Sequence, residues 1–165
     1  MHRLFVYGTL KRGQPNHDRM NDSKLGISKF IGSGQTKQAF PLVIAGPFNV
    51  PYCVAKEGLG KPVRGDLYEV DDTLLAHLDT MERIPVHYQR LTRTICLDTE
   101  VGGDSNQTEV EAFVYQLCDY KQFVLNLPFY HDYDSLGTHG LVYVPFNVRD
   151  KSRSCDEILE KGSSK

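Results

Sequence analysis

The stretch from Leu4 to Gly13 combines residue types that could bind an anion. Strand-forming residues run directly into Gly8 and Thr9, and a second glycine closes the stretch at Gly13. Aromatic and β-branched side chains suit a pleated strand, and a glycine after them lets the backbone turn sharply or approach a ligand. The amides of Gly8, Thr9 and Leu10 could then converge on one carboxylate or oxyanion. An ordinary turn after a strand is the alternative interpretation.

Glu82 is the residue whose position suits proton transfer. It follows Leu78 at spacing i, i+4, which places its carboxylate near the apolar face of a predicted helix. Next to a hydrophobic core, desolvation would raise the pKa of this carboxyl group toward the range that general acid–base catalysis uses. The alternative is that Glu82 and Arg83 simply end the helix in solvent.

Other reactive side chains form no recognisable catalytic or metal-binding pattern. His131 and His139 lie in an irregular stretch, and no pair of histidines has the i, i+4 spacing of a helical metal site. The cysteines are widely spaced and include no C-x-x-C pair: Cys53, Cys96, Cys118 and Cys155. The sequence therefore predicts free thiols in a reducing compartment and no metal. Tyr88 and Tyr115 fall on predicted strands, where packing or the orientation of a ligand could explain them.

Composition predicts one globular domain that acts on a small molecule. The chain has 165 residues, of which 40% are hydrophobic and 24% charged, which suits a single domain with a substantial core. The net charge is −2 and the 19 basic residues are dispersed, which argues against nucleic acid as a partner. No apolar run approaches the roughly 20 residues of a membrane span, and a strand begins too early for a signal peptide. We expect a cytoplasmic monomer with no membrane partner.

One helix and several strands are expected to position these residues. Asp71 can cap a helix that runs to about Arg83, with an apolar stripe that includes Leu74 and Leu78, and Pro85 ends it. Alternation and β-branched residues predict strands over 4–7, 30–36, 40–46, 62–70, 88–97 and 109–117, the second of them interrupted by glycines. Short strands with one or two helices indicate an α+β domain around a curled sheet.

The remaining segments are expected to be loops. Two prolines within residues 47–52 predict a rigid loop. Residues 98–108 are rich in glycine, aspartate and serine and predict an exposed hairpin loop. Residues 126–140 are predicted to be irregular. We expect a single domain over residues 1–150, followed by a disordered tail over 151–165.

Residues 6–17, with the sequence VYGTLKRGQPNH, resemble the N-terminal signature of the γ-glutamylamine cyclotransferases, a family of the γ-glutamyl cyclotransferase-like superfamily. The resemblance covers about residues 4–146. Further matching segments are FPLVIAG at 40–46, NVP at 49–51, Leu78-Asp79 with Glu82, YQR at 88–90, FVY at 113–115, YDS at 133–135 and HGL at 139–141. The YGTL motif at residues 7–10 by itself indicates only the superfamily. The longer run over residues 6–17, combined with the downstream segments, is more specific.

The resemblance implies a fold, a reaction and a set of site residues. The fold would be a small mixed β-barrel flanked by helices. The reaction would release 5-oxoproline and a free amine from a γ-glutamyl amine, typically γ-glutamyl-ε-lysine left by transglutaminase cross-links. The substrate-binding segment would be Tyr7, Gly8, Thr9 and Leu10, and the catalytic carboxylate would be Glu82.

Such a reaction needs no protein nucleophile, metal or cofactor, because the substrate's own α-amine attacks its γ-carbonyl carbon. Glu82 would take a proton from the α-ammonium group and deliver it to the leaving amine. Two alternatives remain open at this point. One is a cyclotransferase for γ-glutamyl amino acids or glutathione-type peptides, and the other is a non-catalytic barrel that binds a small ligand.

Overall fold

The computed structural model describes residues 1–98 and 109–161. Its strands, in chain order, are β1 (His2–Val6), β2 (Ser28–Phe40), β3 (Leu42–Ala45), β4 (Val50–Cys53), β5 (Lys61–Val70), β6 (Gln89–Leu97) and β7 (Glu109–Gln116). The described part also contains the α-helices α1 (Asp18–Asn21) and α2 (Asp72–Met81) and the 3₁₀ helices Gln122–Asn126, Phe146–Val148 and Cys155–Ile158. The predicted hairpin loop lies almost entirely outside the described residues. No helix within these ranges is both long and apolar enough to cross a membrane.

Five strands close into a small barrel in the order β1-β5-β2-β6-β7. Neighbouring strands are antiparallel except β1 and β7, which pair in parallel with Leu4 opposite Phe113. Closure of the barrel leaves none of these strands with an unpaired edge. The mixed barrel expected from the resemblance is confirmed, and β3 and β4 form a separate sheet beside it.

Side chains of β1 alternate between two hydrophobic clusters, as expected for successive residues of a strand. Leu4 and Val6 belong to the cluster that also contains Leu78 of α2. Phe5 belongs to the other cluster, together with Leu67 of β5. The end of β1 is thereby fixed between two layers of the core, which makes the turn that follows it a rigid feature.

Strand β2 is continuous over 13 residues, so the prediction of a broken strand over 30–36 is wrong. The glycines allow a close approach of strands instead of interrupting β2. A side-chain carbon at Gly34 would lie 2.4 Å from the carbonyl oxygen of Cys96 in β6, which no larger residue could accept. The irregularity near Gly32 is only a register shift against β5, between Phe30 and Gly32.

The β3–β4 hairpin replaces the rigid loop predicted for residues 47–52. Pro51 lies within β4, opposite Ile44 of β3. A two-stranded sheet has only edge strands, where a residue without a backbone N–H is tolerated. The turn before β4 uses Asn49 in a left-handed conformation, with φ of 56°.

Helix α2 begins where the sequence predicts and ends slightly earlier. Asp71 is the N-cap, and its side chain accepts a hydrogen bond of 2.8 Å from the amide of Leu74. Leu78 is fully buried against the core. Glu82 is the C-cap residue, and its amide donates to the carbonyl oxygen of Leu78 at 2.8 Å.

The C-terminal segment differs from the expected disordered tail over residues 151–161. Ser154 and Glu157 form a capping box at the start of a 3₁₀ helix, Cys155–Ile158. Ile158 and Leu159 are buried in the cluster that contains Leu78, so the core extends to these residues. Residues 127–145 contain no helix or strand, as predicted for most of this stretch.

Candidate active site

A cavity of about 910 Å³ lies where the end of β1 meets the end of α2. The structure brings all the sequence-predicted site residues to the lining of this one cavity, namely Tyr7, Gly8, Thr9, Leu10 and Glu82. A cavity of this size is within the range of small-molecule sites. The turn and the carboxylate, more than seventy residues apart in the sequence, therefore share a single pocket.

The carboxyl group of Glu82 has the properties of a general acid–base group. Burial raises the pKa of Glu82 from 4.5 to about 7, and the positive charge of Arg19 opposes this rise. No side chain in the described part of the chain donates a hydrogen bond to this carboxylate. A carboxyl group with a pKa near neutrality and no fixed partner can both accept and release a proton.

Four buried tyrosine side chains line the cavity together with Glu82. They belong to Tyr7, Tyr52, Tyr88 and Tyr115, each of whose pKa values is raised, first by burial and further by the charge of Glu82. Their hydroxyl groups are occupied by protein partners. Tyr88 donates to the carbonyl oxygen of Pro51 at 3.1 Å, and Tyr115 donates to Asp79 at 2.8 Å. These contacts favour packing as the role of Tyr88 and Tyr115.

The turn after β1 presents backbone donors that have no partner. Among the described residues, no acceptor is within hydrogen-bonding distance of the amides of Gly8, Thr9 and Leu10. The turn is held by other groups: the amide of Lys11 donates to the Gly8 carbonyl at 3.1 Å, and the amide of Asn16 donates to the Thr9 carbonyl at 2.8 Å. Unpaired amides on a fixed turn suit an anion or a developing oxyanion.

Glycine at position 8 is required by its close approach to a neighbouring strand. A side-chain carbon at Gly8 would lie 2.9 Å from Cγ of Pro51 in β4. The missing side chain therefore faces the β3–β4 hairpin, and the close approach of Gly8 and Pro51 forms one wall of the cavity.

Tyr7 contributes a structural hydroxyl group. It donates to the carbonyl oxygen of Tyr115 at 2.7 Å and accepts from the amide of Cys53 at 3.1 Å. These bonds connect the end of β1 to β7 and β4. The side-chain hydroxyl is thus already committed, and contact of Tyr7 with a ligand is left to its ring and backbone.

Two buried ionic groups hold the far side of the turn. The ammonium group of Lys11 is paired with Asp132 and donates to the carbonyl oxygen of Tyr133 at 2.6 Å. The amide of Arg12 donates to buried Asp66 at 3.0 Å. These bonds fix the turn to the barrel, which preorganises the three free amides.

Sequence reasoning missed several residues that line the cavity. Arg19 on α1 carries the positive charge that lowers the pKa of Glu82. Tyr52 lies on β4, in a segment that the sequence analysis predicted to be a loop. Tyr52 is hydrogen bonded to His87 at 2.9 Å, and His87 in turn contacts Asp156 at 2.9 Å. The capping-box spacing of Ser154, followed by apolar residues, was the available signal that the C-terminal segment is ordered.

Free thiols are present at Cys53, Cys96, Cys118 and Cys155. Within residues 1–98 and 109–161, no group of three or more histidine, cysteine, aspartate or glutamate side chains is arranged to hold a metal ion.

Comparisons with known proteins agree with this geometry. A family model described as gamma-glutamyl cyclotransferase, AIG2-like, matches residues 4–135. A mouse protein named gamma-glutamylaminecyclotransferase is 46% identical over 146 residues, which is 88% of this chain and 97% of that protein. The human protein of the same name is 41% identical over 146 residues, covering 86% and 95% of the two chains. The crystal structure of an AIG2-like protein from mouse superimposes with a TM-score of 0.83 at 44% identity, covering 90% of this chain and 99% of the other.

Proposed function

The chain belongs to the gamma-glutamyl cyclotransferase, AIG2-like family, and we propose that it is a γ-glutamylamine cyclotransferase. It converts a γ-glutamyl amine, typically γ-glutamyl-ε-lysine, into 5-oxoproline and the free amine. The observation that carries this proposal is the shared cavity, in which a carboxyl group of pKa about 7 faces the pocket that also contains three unpaired amides.

The reaction is an intramolecular transfer. The substrate's α-nitrogen forms a bond to its own γ-carbonyl carbon, and the bond from that carbon to the leaving nitrogen breaks. At neutral pH the α-amine is mostly protonated, since its reference pKa is about 8. Glu82 removes this proton, which makes the nitrogen a nucleophile.

Glu82 then completes the proton transfer. The leaving lysine amine has a reference pKa of about 10.4, so it cannot depart as an anion and must receive a proton. The protonated Glu82 supplies it. The attacking nitrogen must lose a second proton to become the lactam N–H, and this proton passes by the same carboxylate to the departing amine, which leaves as an ammonium ion. Glu82 thereby returns to its starting carboxylate state with no water consumed. A pKa of about 7 lies below those of both amines and near physiological pH, which suits a group that must serve as base and then as acid.

The turn after β1 supplies binding and orientation. We assign Tyr7, Gly8, Thr9 and Leu10 to the glutamyl group, with the amides of Gly8 to Leu10 directed at its anionic oxygens. A folded glutamyl chain brings the amine close to the carbonyl carbon, and well-oriented proximity lowers an activation barrier by up to several kcal/mol.

The proposal predicts that Glu82→Gln keeps ligand binding but loses turnover by at least about a hundredfold, because the amide cannot exchange the proton. Release of 5-oxoproline from γ-glutamyl-ε-lysine measures the rate, and calorimetry with 5-oxoproline measures binding. Glu57→Gln, which removes an exposed carboxylate that does not line the cavity, is the matched control. Near-normal turnover by Glu82→Gln would contradict the assignment.

The rival substrates are γ-glutamyl amino acids and glutathione-type peptides. A parallel assay with γ-glutamyl-ε-lysine and γ-glutamyl-alanine separates these classes, and preference for the second would favour the rival. A pure binding protein would release no 5-oxoproline from either. The names of the mouse and human relatives favour the first substrate.

We also propose that the protein acts in the cytoplasm as a monomer, on a free small molecule and without nucleic acid. The near-neutral charge balance of 19 basic against 21 acidic residues supports the absence of a nucleic-acid partner. Light scattering coupled to gel filtration tests the monomer, and a dimer mass at assay concentration would overturn that part.

A further inference from the structure

The outer wall of the cavity is formed by residues 143–155, which we call the C-terminal wall. It lies beyond residues 4–135, which the family model matches. The wall carries three of the cationic side chains that line the cavity, Arg149, Lys151 and Arg153. Charge of this sign suits a substrate with carboxylate groups, and the three cations differ in how they are held.

Two guanidinium groups of the cavity lining are neutralised by acidic partners. Arg153 forms two hydrogen bonds with Glu157, at 2.8 and 2.7 Å. Arg83, at the end of α2, forms two hydrogen bonds with Asp156, at 2.7 and 3.0 Å. A guanidinium paired with a carboxylate through two of its nitrogens attracts a second anion less strongly, because its positive charge is already largely neutralised.

Arg149 is fixed in position but has no acidic partner among the described residues. Its Nε donates to the carbonyl oxygen of Val144 at 2.9 Å, and its Nη2 donates to the hydroxyl of Tyr143 at 3.1 Å. Its Nη1 contacts the Cys155 sulfur at 3.7 Å, and its central carbon lies 4.8 Å from the ring centre of Phe48. These contacts account for three of the five N–H donors of a guanidinium.

A hydrogen-bond chain connects Arg149 to the anion-binding turn. The Tyr143 hydroxyl that accepts from Arg149 also accepts from Nδ2 of Asn16 at 3.1 Å. The same Nδ2 of Asn16 lies 3.0 Å from the hydroxyl of Thr9. Arg149 is therefore positioned on the cavity by the turn that provides the free amides.

We propose that Arg149 binds a carboxylate of the substrate and so determines which γ-glutamyl compounds enter the site. A preordered guanidinium with unused donors and only neutral partners is a strong receptor for a carboxylate. The identity of the substrate rests on the proposed function. γ-Glutamyl-ε-lysine has two candidate carboxylates, one on its glutamyl half and one on its lysine half.

Arg149→Gln tests this inference in the full-length protein. We expect KM for γ-glutamyl-ε-lysine to rise by at least about tenfold, with a smaller change in kcat, because a charge-assisted hydrogen bond to the bound substrate is lost. γ-Glutamyl-n-butylamine, which has only the glutamyl carboxylate, is assayed in parallel. An equal rise for both substrates assigns Arg149 to the glutamyl carboxylate, and a rise for the lysine compound alone assigns it to the lysine carboxylate. No rise in KM for either would overturn the proposal.

Arg153→Gln is the matched control, since it removes one charge from the same wall but from a guanidinium that is already paired. We expect its KM values to stay within about twofold of wild type. Thermal unfolding of both variants checks whether the wall stays folded, and Arg149→Lys, which keeps the charge without the fork, should restore part of the loss. An equal KM rise in Arg153→Gln would indicate a general charge effect and contradict a specific role for Arg149.

A binding measurement separates this inference from the proposed reaction. Calorimetry of γ-glutamyl-ε-lysine with Glu82→Gln, with and without Arg149→Gln, requires no turnover. Weaker binding by at least about tenfold in the double variant supports the role of Arg149 even if the wild-type protein releases no 5-oxoproline. Equal affinity, or no binding to either protein, would contradict it.

Discussion

Glu82 lowers the stability of the fold at neutral pH, because its carboxylate is desolvated in the folded state. Burial favours the protonated form, so the folded protein holds a proton that the unfolded chain releases near pH 4.5. Between pH 4.5 and about 7 the folded state binds more protons than the unfolded state, and stability therefore falls as the pH rises. Above about pH 7 the carboxylate is charged in both states and the loss is complete.

Glu82→Gln should therefore be more stable than wild type at about pH 8, by about 3 kcal/mol, because glutamine never acquires the buried charge. At or below pH 4.5, where the wild-type carboxyl group is protonated in the folded state, the two proteins should unfold alike. Urea unfolding at both pH values measures the difference. A difference of the same size at both would show that hydrogen bonding or packing, and not ionisation, distinguishes the variants.

At the scale of elements, the cavity depends on how closely the turn after β1 approaches the β3–β4 hairpin. Gly8 and Pro51 meet at a distance that leaves no room for a side chain at position 8. This contact supports the turn that carries the free amides. It also supports Tyr52, a residue of the cavity lining that follows Pro51 in β4. The hairpin is therefore part of the site's framework.

Gly8→Ala should lower stability by about 1–3 kcal/mol, because the added methyl group overlaps the proline ring and must displace the hairpin. Pro51→Ala removes the overlapping Cγ, so the double variant should lose less than the sum of the single losses. Denaturant unfolding of the four proteins gives the coupling energy. Additive losses would contradict direct contact between the two positions.

At the scale of the whole molecule, the C-terminal segment belongs to the core that supports α2 and the site. Ile158 is 1% exposed and lies in the same cluster as Leu78. The segment also pairs Asp156 with Arg83, the residue directly after Glu82. Both contacts connect the C-terminal segment to the end of α2, next to Glu82, the proposed catalytic residue.

Ile158→Ala should destabilise the protein by about 2–5 kcal/mol, as expected for truncation of a fully buried aliphatic side chain. Thermal or urea unfolding provides the measurement. Lys151→Ala, on an exposed side chain of the same segment, should change stability little and serves as the control. Wild-type stability for Ile158→Ala would show that residues 151–161 do not pack in solution.

The parts of the fold that the sequence predicted are those whose signal is local. Helix α2 has its cap at Asp71 and its apolar stripe within one stretch, and alternation identified most barrel strands. Strand β4 was missed because proline is unfavourable in most strands. Proline is tolerated in an edge strand, but only the assembled sheet shows which strands are edges. The burial of Ile158 was missed for a similar reason, because it depends on residues that are distant in the sequence. A short charged segment becomes ordered only by packing against other parts of the protein.

The candidate site was predicted in the same uneven way. Gly8 to Leu10 were predicted from a sequence motif, and Glu82 was predicted from its helical spacing to Leu78. No motif or spacing identified Arg149, since its significance arises from the absence of a carboxylate paired with its guanidinium among the described residues, which sequence does not reveal. Arg19 was likewise an ordinary surface residue until α1 brought it near Glu82.

The parallel pairing of β1 with β7 has a consequence for biosynthesis. The barrel closes where Leu4 meets Phe113, and the cavity is completed by residues as late as Arg149 and Cys155. A chain growing on a ribosome can therefore pair β1 with β5 early, whereas closure of the barrel waits for β7 and completion of the cavity waits for residues 143–155. Domains with such distant pairings fold late and are exposed to aggregation until they do. The turn after β1 and the C-terminal wall are thus synthesised far apart in time, and the cavity is complete only when both are present.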